Sequence, residues 1–246
     1  MIKDIAVTTW SHTSYSDIWP MYYGQFEKNA PFLKHYMFIN EANNHSPHSC
    51  TQIVNDETKK FSERLCYSLE KVEENTIIWM QEDFVLYDPV ESDKIVFLND
   101  FLNNSDYSFI RLIKSGVEGG SCIDKNIGLY EVPILSPYLY CLQATIWKKL
   151  DLYKLYDCYR PKNMMDSELY GSNAARSLGM KGCYVYNGEN KRGNLHYDSS
   201  VFPYISTALY GGSQGRPAKW QLSLYPKKLG KLLKQYNIDK SKRGTL

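Results

Sequence analysis

No apolar run in this 246-residue chain approaches the roughly 20 residues needed to cross a bilayer, which excludes a membrane-spanning helix. No C-x-x-C pair occurs among the six scattered cysteines, Cys50, Cys66, Cys122, Cys141, Cys158 and Cys183, so neither a zinc ribbon nor a thioredoxin-like dithiol is encoded. Reduced thiols in a cytoplasmic protein are the expectation, because Lys3 and Asp4 lead into a strand-like run instead of a signal sequence. An excess of one charge is also missing. The formal net charge is only +2, so the molecule as a whole has no electrostatic reason to seek nucleic acid. No Gly-rich, Lys- or Arg-bearing phosphate loop stands early in the chain, and there is no internal repeat or low-complexity tract. The asymmetry that does exist lies in residues 216–246, where nine Lys and Arg face a single acid, Asp239, giving that segment +8 and the residues before it −6.

What is present is apolar patterning on a scale that fits one α/β domain, with 43% hydrophobic residues and 21 tyrosines to fill half-buried positions or stack on flat ligands. Residues 5–9, 35–39 and 76–80 are short apolar runs that read as buried strands. Between the first two, Ser16 can cap a helix with Trp19, Tyr23 and Phe26 at helical spacing, Pro20 in its first turn and Pro31 at its end. Between the second and third, Phe61, Leu65, Leu69 and Val72 form the stripe of a helix within residues 56–74. Strand and helix alternate, which predicts a mainly parallel central sheet with flanking helices. Later segments are more mixed. Residues 90–102, 144–155 and 164–178 read as helices, and 107–113, 128–132, 137–142 and 182–186 as strands, including a small antiparallel element. Functionally, residues 1–90 form one half, 91–215 a second, and 216–246 a basic tail.

In an open α/β sheet, ligands collect outside the carboxyl ends of the parallel strands. The first strand delivers Thr9, Ser11 and His12 to that rim, the second Glu41, and the third Gln81, Glu82 and Asp83. Two adjacent carboxylates ending a buried strand are costly unless a donor or cation compensates them. Mg²⁺ or Mn²⁺ does so while keeping open positions for substrate phosphates, although such a pair can also simply start a loop or cap a helix.

The run Ile77-Ile78-Trp79-Met80-Gln81-Glu82-Asp83-Phe84, following the strand at 5–9 and the amphipathic helix at 61–72, resembles the nucleotide-binding half of GT-A glycosyltransferases. It resembles most closely the small members whose Asp-x-Asp motif is degenerate, with support from Gln143-Ala144-Thr145-Ile146-Trp147 and from Asp166-Ser167-Glu168. Gln81 stands where the first Asp would be, a weaker and neutral ligand. The resemblance implies a GT-A, Rossmann-like fold and a nucleoside-diphosphate sugar donor, a UDP- or GDP-sugar. It implies that Thr8, Thr9 and Trp10 line the base and ribose pocket, that Glu41 caps the nucleobase or ribose, and that Arg64 approaches the nucleotide; a solvated helix face is the alternative for Arg64. Metal coordination falls to Asp83, with Glu82 or Gln81 directing water or ribose and His196 as a late ligand, unless His196 is an ordinary surface or core histidine.

Sugar transfer needs a stabilised diphosphate and, in an inverting enzyme, a carboxylate that takes the acceptor proton. Asp166 and Glu168 start a helix in the region where the family presents that acid, and Glu168 is preferred because the two project to different sides. The segment Gly211-Gly212-Ser213-Gln214-Gly215-Arg216-Pro217-Ala218-Lys219-Trp220 is a candidate closing loop, with Lys219 near the diphosphate, or else a linker. Leu229, Leu232 and Leu233 among lysines make the tail amphipathic, suited to the protein body or to weak contact with an anionic membrane surface. The expected activity is metal-assisted sugar transfer to a glycan or other hydroxyl acceptor. A catalytically silent carbohydrate-binding module is the alternative, and a nucleotidyltransferase is disfavoured by the missing phosphate loop.

Overall fold

The computed structural model describes residues 2–44, 46–47, 49–211 and 218–246. Period-2 alternation within the apolar runs builds its sheet. In β1 (Ile5–Trp10), Ile5 and Val7 enter one core cluster and Ala6 the other. In β4 (Thr76–Gln81), Ile78 and Met80 join the first and Ile77 and Trp79 the second. Both strands are therefore covered on both faces, as continuous apolar runs require. With β2 (Lys34–Ile39), β3 (Cys50–Val54), β6 (Phe109–Arg111), β7 (Cys122–Asp124), β8 (Leu129–Glu131), β9 (Thr145–Lys148) and β10 (Gly182–Val185), they form a nine-stranded sheet among the described residues. Its order is β3-β2-β1-β4-β9-β6-β10-β8-β7. The first four strands run parallel, β6 and β10 are parallel to each other, and β9 runs antiparallel between β4 and β6. The fold is mixed α/β with a large, mostly parallel central sheet flanked by helices.

Helices α1 (Trp19–Asn29), α3 (Ser92–Asn103) and α6 (Pro226–Gln235) cover one face, and α2 (Phe61–Glu70), α4 (Lys149–Tyr159) and α5 (Met164–Ser177) the other. The strand order turns back beside β1: the chain steps outward through β2 and β3, then returns through α2 to β4. The carboxyl tips of β1 and β4 lie side by side there, with Trp10 opposite Gln81. Such a turning point is where a crevice opens.

Several elements differ from the sequence reading. Ser16 does not cap α1; residues Thr13–Tyr15 form their own 3-10 turn capped by His12, and the helix starts at Trp19, where Pro20 needs no hydrogen-bonding N–H. α2 begins at Phe61, where the Glu63 side chain reaches back to accept from the Lys60 N–H at 3.2 Å, while Asp56 closes a separate turn by accepting from the Thr58 amide and hydroxyl. Residues 144–155 are not one helix: Thr145, Ile146 and Trp147 extend into β9 before α4 starts. Residues 137–142 form turns instead of a strand, fixed where the Tyr140 N–H donates to Ser172 Oγ at 3.0 Å. β3 was not foreseen at all. The tail helix α6 buries Leu229, Leu232 and Leu233 in the main core, so its apolar face is spent on the protein body and none of it is left for a membrane surface. No helix among the described residues is long and apolar enough to cross a membrane.

Candidate active site

β4 ends in a turn, closed by Phe84 N–H donating to the Gln81 carbonyl at 3.1 Å, that presents Glu82 and Asp83 to a cleft of about 730 Å³. The next strand, β5 (Val85–Leu86), pairs antiparallel with β13 (Tyr204–Ile205), so the acid turn is pinned on both sides. Tyr204 ties β13 to the sheet: its hydroxyl donates to Gln143 Oε1 at 2.9 Å and accepts from the Ala144 N–H at 3.2 Å. Gln143 Nε2 then donates to the Ser206 carbonyl at 3.3 Å. Gln143, Ser206 and Thr207 face the cleft from this scaffold.

The two acids sit in an environment that resists their charge. Glu82 is 8% exposed, and burial, followed by the neighbouring Asp83 carboxylate, pushes its pKa up to about 8. Asp83 rises to about 7, also through burial, although its Oδ2 accepts from the Leu209 N–H at 3.4 Å and its carbonyl from the Ala208 N–H at 3.2 Å. Among the cations, Arg243 acts on Glu82, holding its pKa down in part. That guanidinium is committed elsewhere: Nε donates to Asp17 Oδ2 at 2.7 Å, the second arm pairs with Asp17 Oδ1 and donates to the Ser14 carbonyl at 2.9 Å, and the group lies 4.7 Å above the Tyr15 ring. Tyr15 in turn lines the cleft. The segment carrying Arg243 is held by β15 (Lys219–Trp220): Trp220 N–H donates to the Gly244 carbonyl and Leu246 N–H to the Trp220 carbonyl, both at 3.0 Å.

Five residues singled out in the sequence line this one cleft: Gln81, Glu82, Asp83, Glu168 on α5, and His196 on β12 (His196–Tyr197). Burial lowers the His196 pKa, leaving the imidazole neutral and able to act as a ligand. Burial raises that of Glu168. No group of three or more His, Cys, Asp or Glu side chains among the described residues converges as a ready metal cage. The donor set still fits a hard divalent ion, since two desolvated, adjacent carboxylates gain from a cation whose shell is completed by water and substrate phosphates.

The remaining expectations are placed differently. Thr8 and Thr9 are 0% exposed and line no cleft. Thr8 Oγ1 is 3.5 Å from the Ile78 carbonyl, and Thr9 Oγ1 bonds the Tyr22 hydroxyl and, at 3.0 Å, His35 Nε2 beneath the sheet, a consequence of the same alternation that buries Ala6 and Val7. Trp10 is half-buried edge-on to Phe61 at 5.0 Å, and Arg64 lies 5.2 Å over its ring. Arg64 is no free anion receptor: Nε donates to Asn55 Oδ1 at 2.7 Å, and the guanidinium lies 3.8 Å from Glu57. Glu41 is exposed in the loop after β2 and outside the cleft. Lys219 is exposed on β15, opposite the cleft residue Tyr210 of β14 (Leu209–Tyr210), without lining the cleft itself. Asp166 sits in the first turn of α5, its Oδ2 accepting from the Lys162 N–H at 3.0 Å while its own N–H donates to Oδ1 of the N-cap Asn163 at 2.9 Å. Of the candidate closing loop, residues 212–217 lie outside the described residues. Sequence reasoning missed Tyr15, Thr207 and Arg243; a Tyr in a polar turn and one cation among nine in a basic tail carry no periodic signal.

No protein-family model matches this chain, and no curated protein does. Among solved structures, TarS of S. aureus is 10% identical, with 98% of this chain and 41% of that one covered and a TM-score of 0.49. A CMP:2-keto-3-deoxy-manno-octonic acid synthetase complexed with CTP is 11% identical over 83% of this chain and 94% of its own, with a TM-score of 0.48. The bifunctional IspDF from Campylobacter jejuni is 16% identical over 81% of this chain, which spans 52% of its length, with a TM-score of 0.47.

Proposed function

We propose that this protein is a glycosyltransferase of the GT-A type, moving a sugar from a nucleoside-diphosphate sugar, a UDP- or GDP-sugar, to a hydroxyl acceptor. The observation that carries the reading is the convergence on one cleft of a desolvated acid pair at the tip of β4, a neutral histidine and a separate carboxylate on α5. Asp83 and Glu82 would hold Mn²⁺ or Mg²⁺ beside the donor diphosphate, in the cleft that His196 also lines, with water and phosphate oxygens completing the shell. When bound, that ion supplies positive charge against the departing diphosphate. Trp10, paired with Gln81 on the same rim, is assigned to the base and ribose end of the donor. Glu168 serves as the base: its Oε takes the proton of the acceptor hydroxyl as that oxygen bonds the anomeric carbon and the bond from that carbon to the diphosphate breaks. Desolvation raises its pKa, which favours proton acceptance, although the residue is itself exposed to solvent.

Titration of UDP, GDP and their sugars with and without Mn²⁺ tests the proposal, and no binding under either condition overturns it. The lack of a three-ligand group among the described residues favours one other reading, a catalytically silent module that binds carbohydrate or nucleotide sugar. Donor hydrolysis or transfer that disappears in Asp83→Ala rejects that second reading.

A further inference from the structure

The acid cleft has a neighbour. Asn194 and Leu195 also line a second cavity of about 350 Å³, a size within the range of small-molecule sites. Three loops distant in sequence build it. Gly116 N–H donates to the Leu195 carbonyl at 3.2 Å, tying the first loop to the segment that ends in His196. Tyr138, from the second, lays its ring against Gly116 so closely that a Cβ there would come within 2.7 Å of the ring; Gly116 also has φ +63, where a side chain is strained. Tyr197, from the third, is held edge-on to Tyr186 at 5.5 Å, with Lys114 5.8 Å from its ring. Two fixed aromatic rings thus wall a cavity whose charged side chains are one acid, Glu118, and one base, Lys191.

Flat apolar rings with hydrogen-bonding groups around them suit the mixed surface of a sugar ring, which offers C–H groups on its faces and hydroxyls at its edge. The two lining charges, Glu118 and Lys191, offset each other, and the nearby Lys114 ammonium is engaged over the Tyr186 and Tyr197 rings. We propose that this second cavity binds the acceptor, and that the acceptor unit seated there is an uncharged sugar ring stacked on Tyr138 and Tyr197, with its reacting hydroxyl directed past Leu195 into the acid cleft. The acceptor role rests on the transferase reading; the binding of a neutral saccharide does not.

Saturation-transfer NMR with methyl glycosides of glucose, galactose, mannose and N-acetylglucosamine tests it, with methyl glucuronide and glucose 6-phosphate as anionic controls. The expected result is transfer to at least one neutral glycoside and none to the anions, with the neutral glycoside bound roughly tenfold more weakly by Tyr138→Ala and by Glu118→Gln. Glu118 is exposed, so its variant remains informative if Tyr138→Ala fails to fold. The assignment is overturned by silence from every neutral glycoside, by preference for the anions, or by undiminished transfer in both variants. Nucleotide titrations of native protein separate the two failures: glycoside binding without nucleotide binding sinks the transferase reading and leaves the saccharide site standing.

Discussion

Replacing Glu82 by glutamine should make the ligand-free protein more stable at alkaline pH, and the size of the effect follows from its burial. A glutamate held at about 8 against an ordinary 4.5 penalises the folded state, once ionised, by on the order of 4 kcal/mol. Below pH 4.5 both folded and unfolded chains hold the proton, and the native protein and Glu82→Gln should melt together. As pH rises from 4.5 to 8 the unfolded chain releases its proton while the folded one keeps it, so native stability falls through that window. The glutamine variant escapes this loss. For a chain of 246 residues, 1 kcal/mol moves the melting temperature by roughly 2–4 °C, so the two should differ by roughly 10 °C at pH 8.5 and converge near pH 4. Adding Mn²⁺ at pH 8 should raise the melting temperature of the native protein and leave that of Asp83→Ala unchanged. Differential scanning calorimetry across pH is the assay. Parallel curves for native and Glu82→Gln protein would show that Glu82 is ionised and satisfied without a cation, removing the reason to place one there.

The two acids of α5 should separate by readout. Asp166→Ala should cost about 1 kcal/mol of stability through the lost bond from the Lys162 N–H with kcat unchanged, whereas Glu168→Gln should lower kcat by ~10²–10⁴ with nucleotide affinity retained; a comparable kcat loss in Asp166→Ala would refute the assignment. Arg111 is 0% exposed with one nitrogen donating to the Ser115 carbonyl at 2.9 Å, while its Nε and Nη2 find no partner among the described residues. Arg111→Met should therefore be neutral or stabilising by about 1–3 kcal/mol in urea unfolding, and a loss of stability would reveal a partner for those donors. Leu233→Ala should cost about 2–5 kcal/mol, because the tail helix belongs to the core, and a change under 1 kcal/mol would argue that it is only appended.

The parallel half of the sheet was legible because β1, β2 and β4 are uninterrupted apolar runs, and the acid turn was legible because two carboxylates directly follow one of them. Fold class needed only that alternation of strand and helix. β9 was read as helix because Ala144 and the Leu-rich residues after it share helical spacing, while its extended form comes from ladder bonds to β4 and β6 that are distant in sequence. Residues 137–142 look like a strand because Tyr138 to Leu142 is a continuous apolar run, yet they pack against α4 and α5 through Tyr140 without joining a ladder. At the site, chain position located Gln81, Glu82, Asp83, Glu168 and His196 but could not give side-chain direction on β1, where a single step of alternation turns Thr9 under the sheet. Contacts such as Arg243 with Asp17 have no local signature whatever.

That last contact also sets a schedule. Asp17 and Arg243 lie 226 positions apart, so the turn carrying Tyr15 cannot acquire its clamp until almost the whole described sequence has left the ribosome. The parallel strands that support the acid pair are synthesised long before, and closing so large a loop is slow compared with forming the helices between them. The nascent protein therefore passes through an interval in which its scaffold is assembled and its cleft is still unfinished.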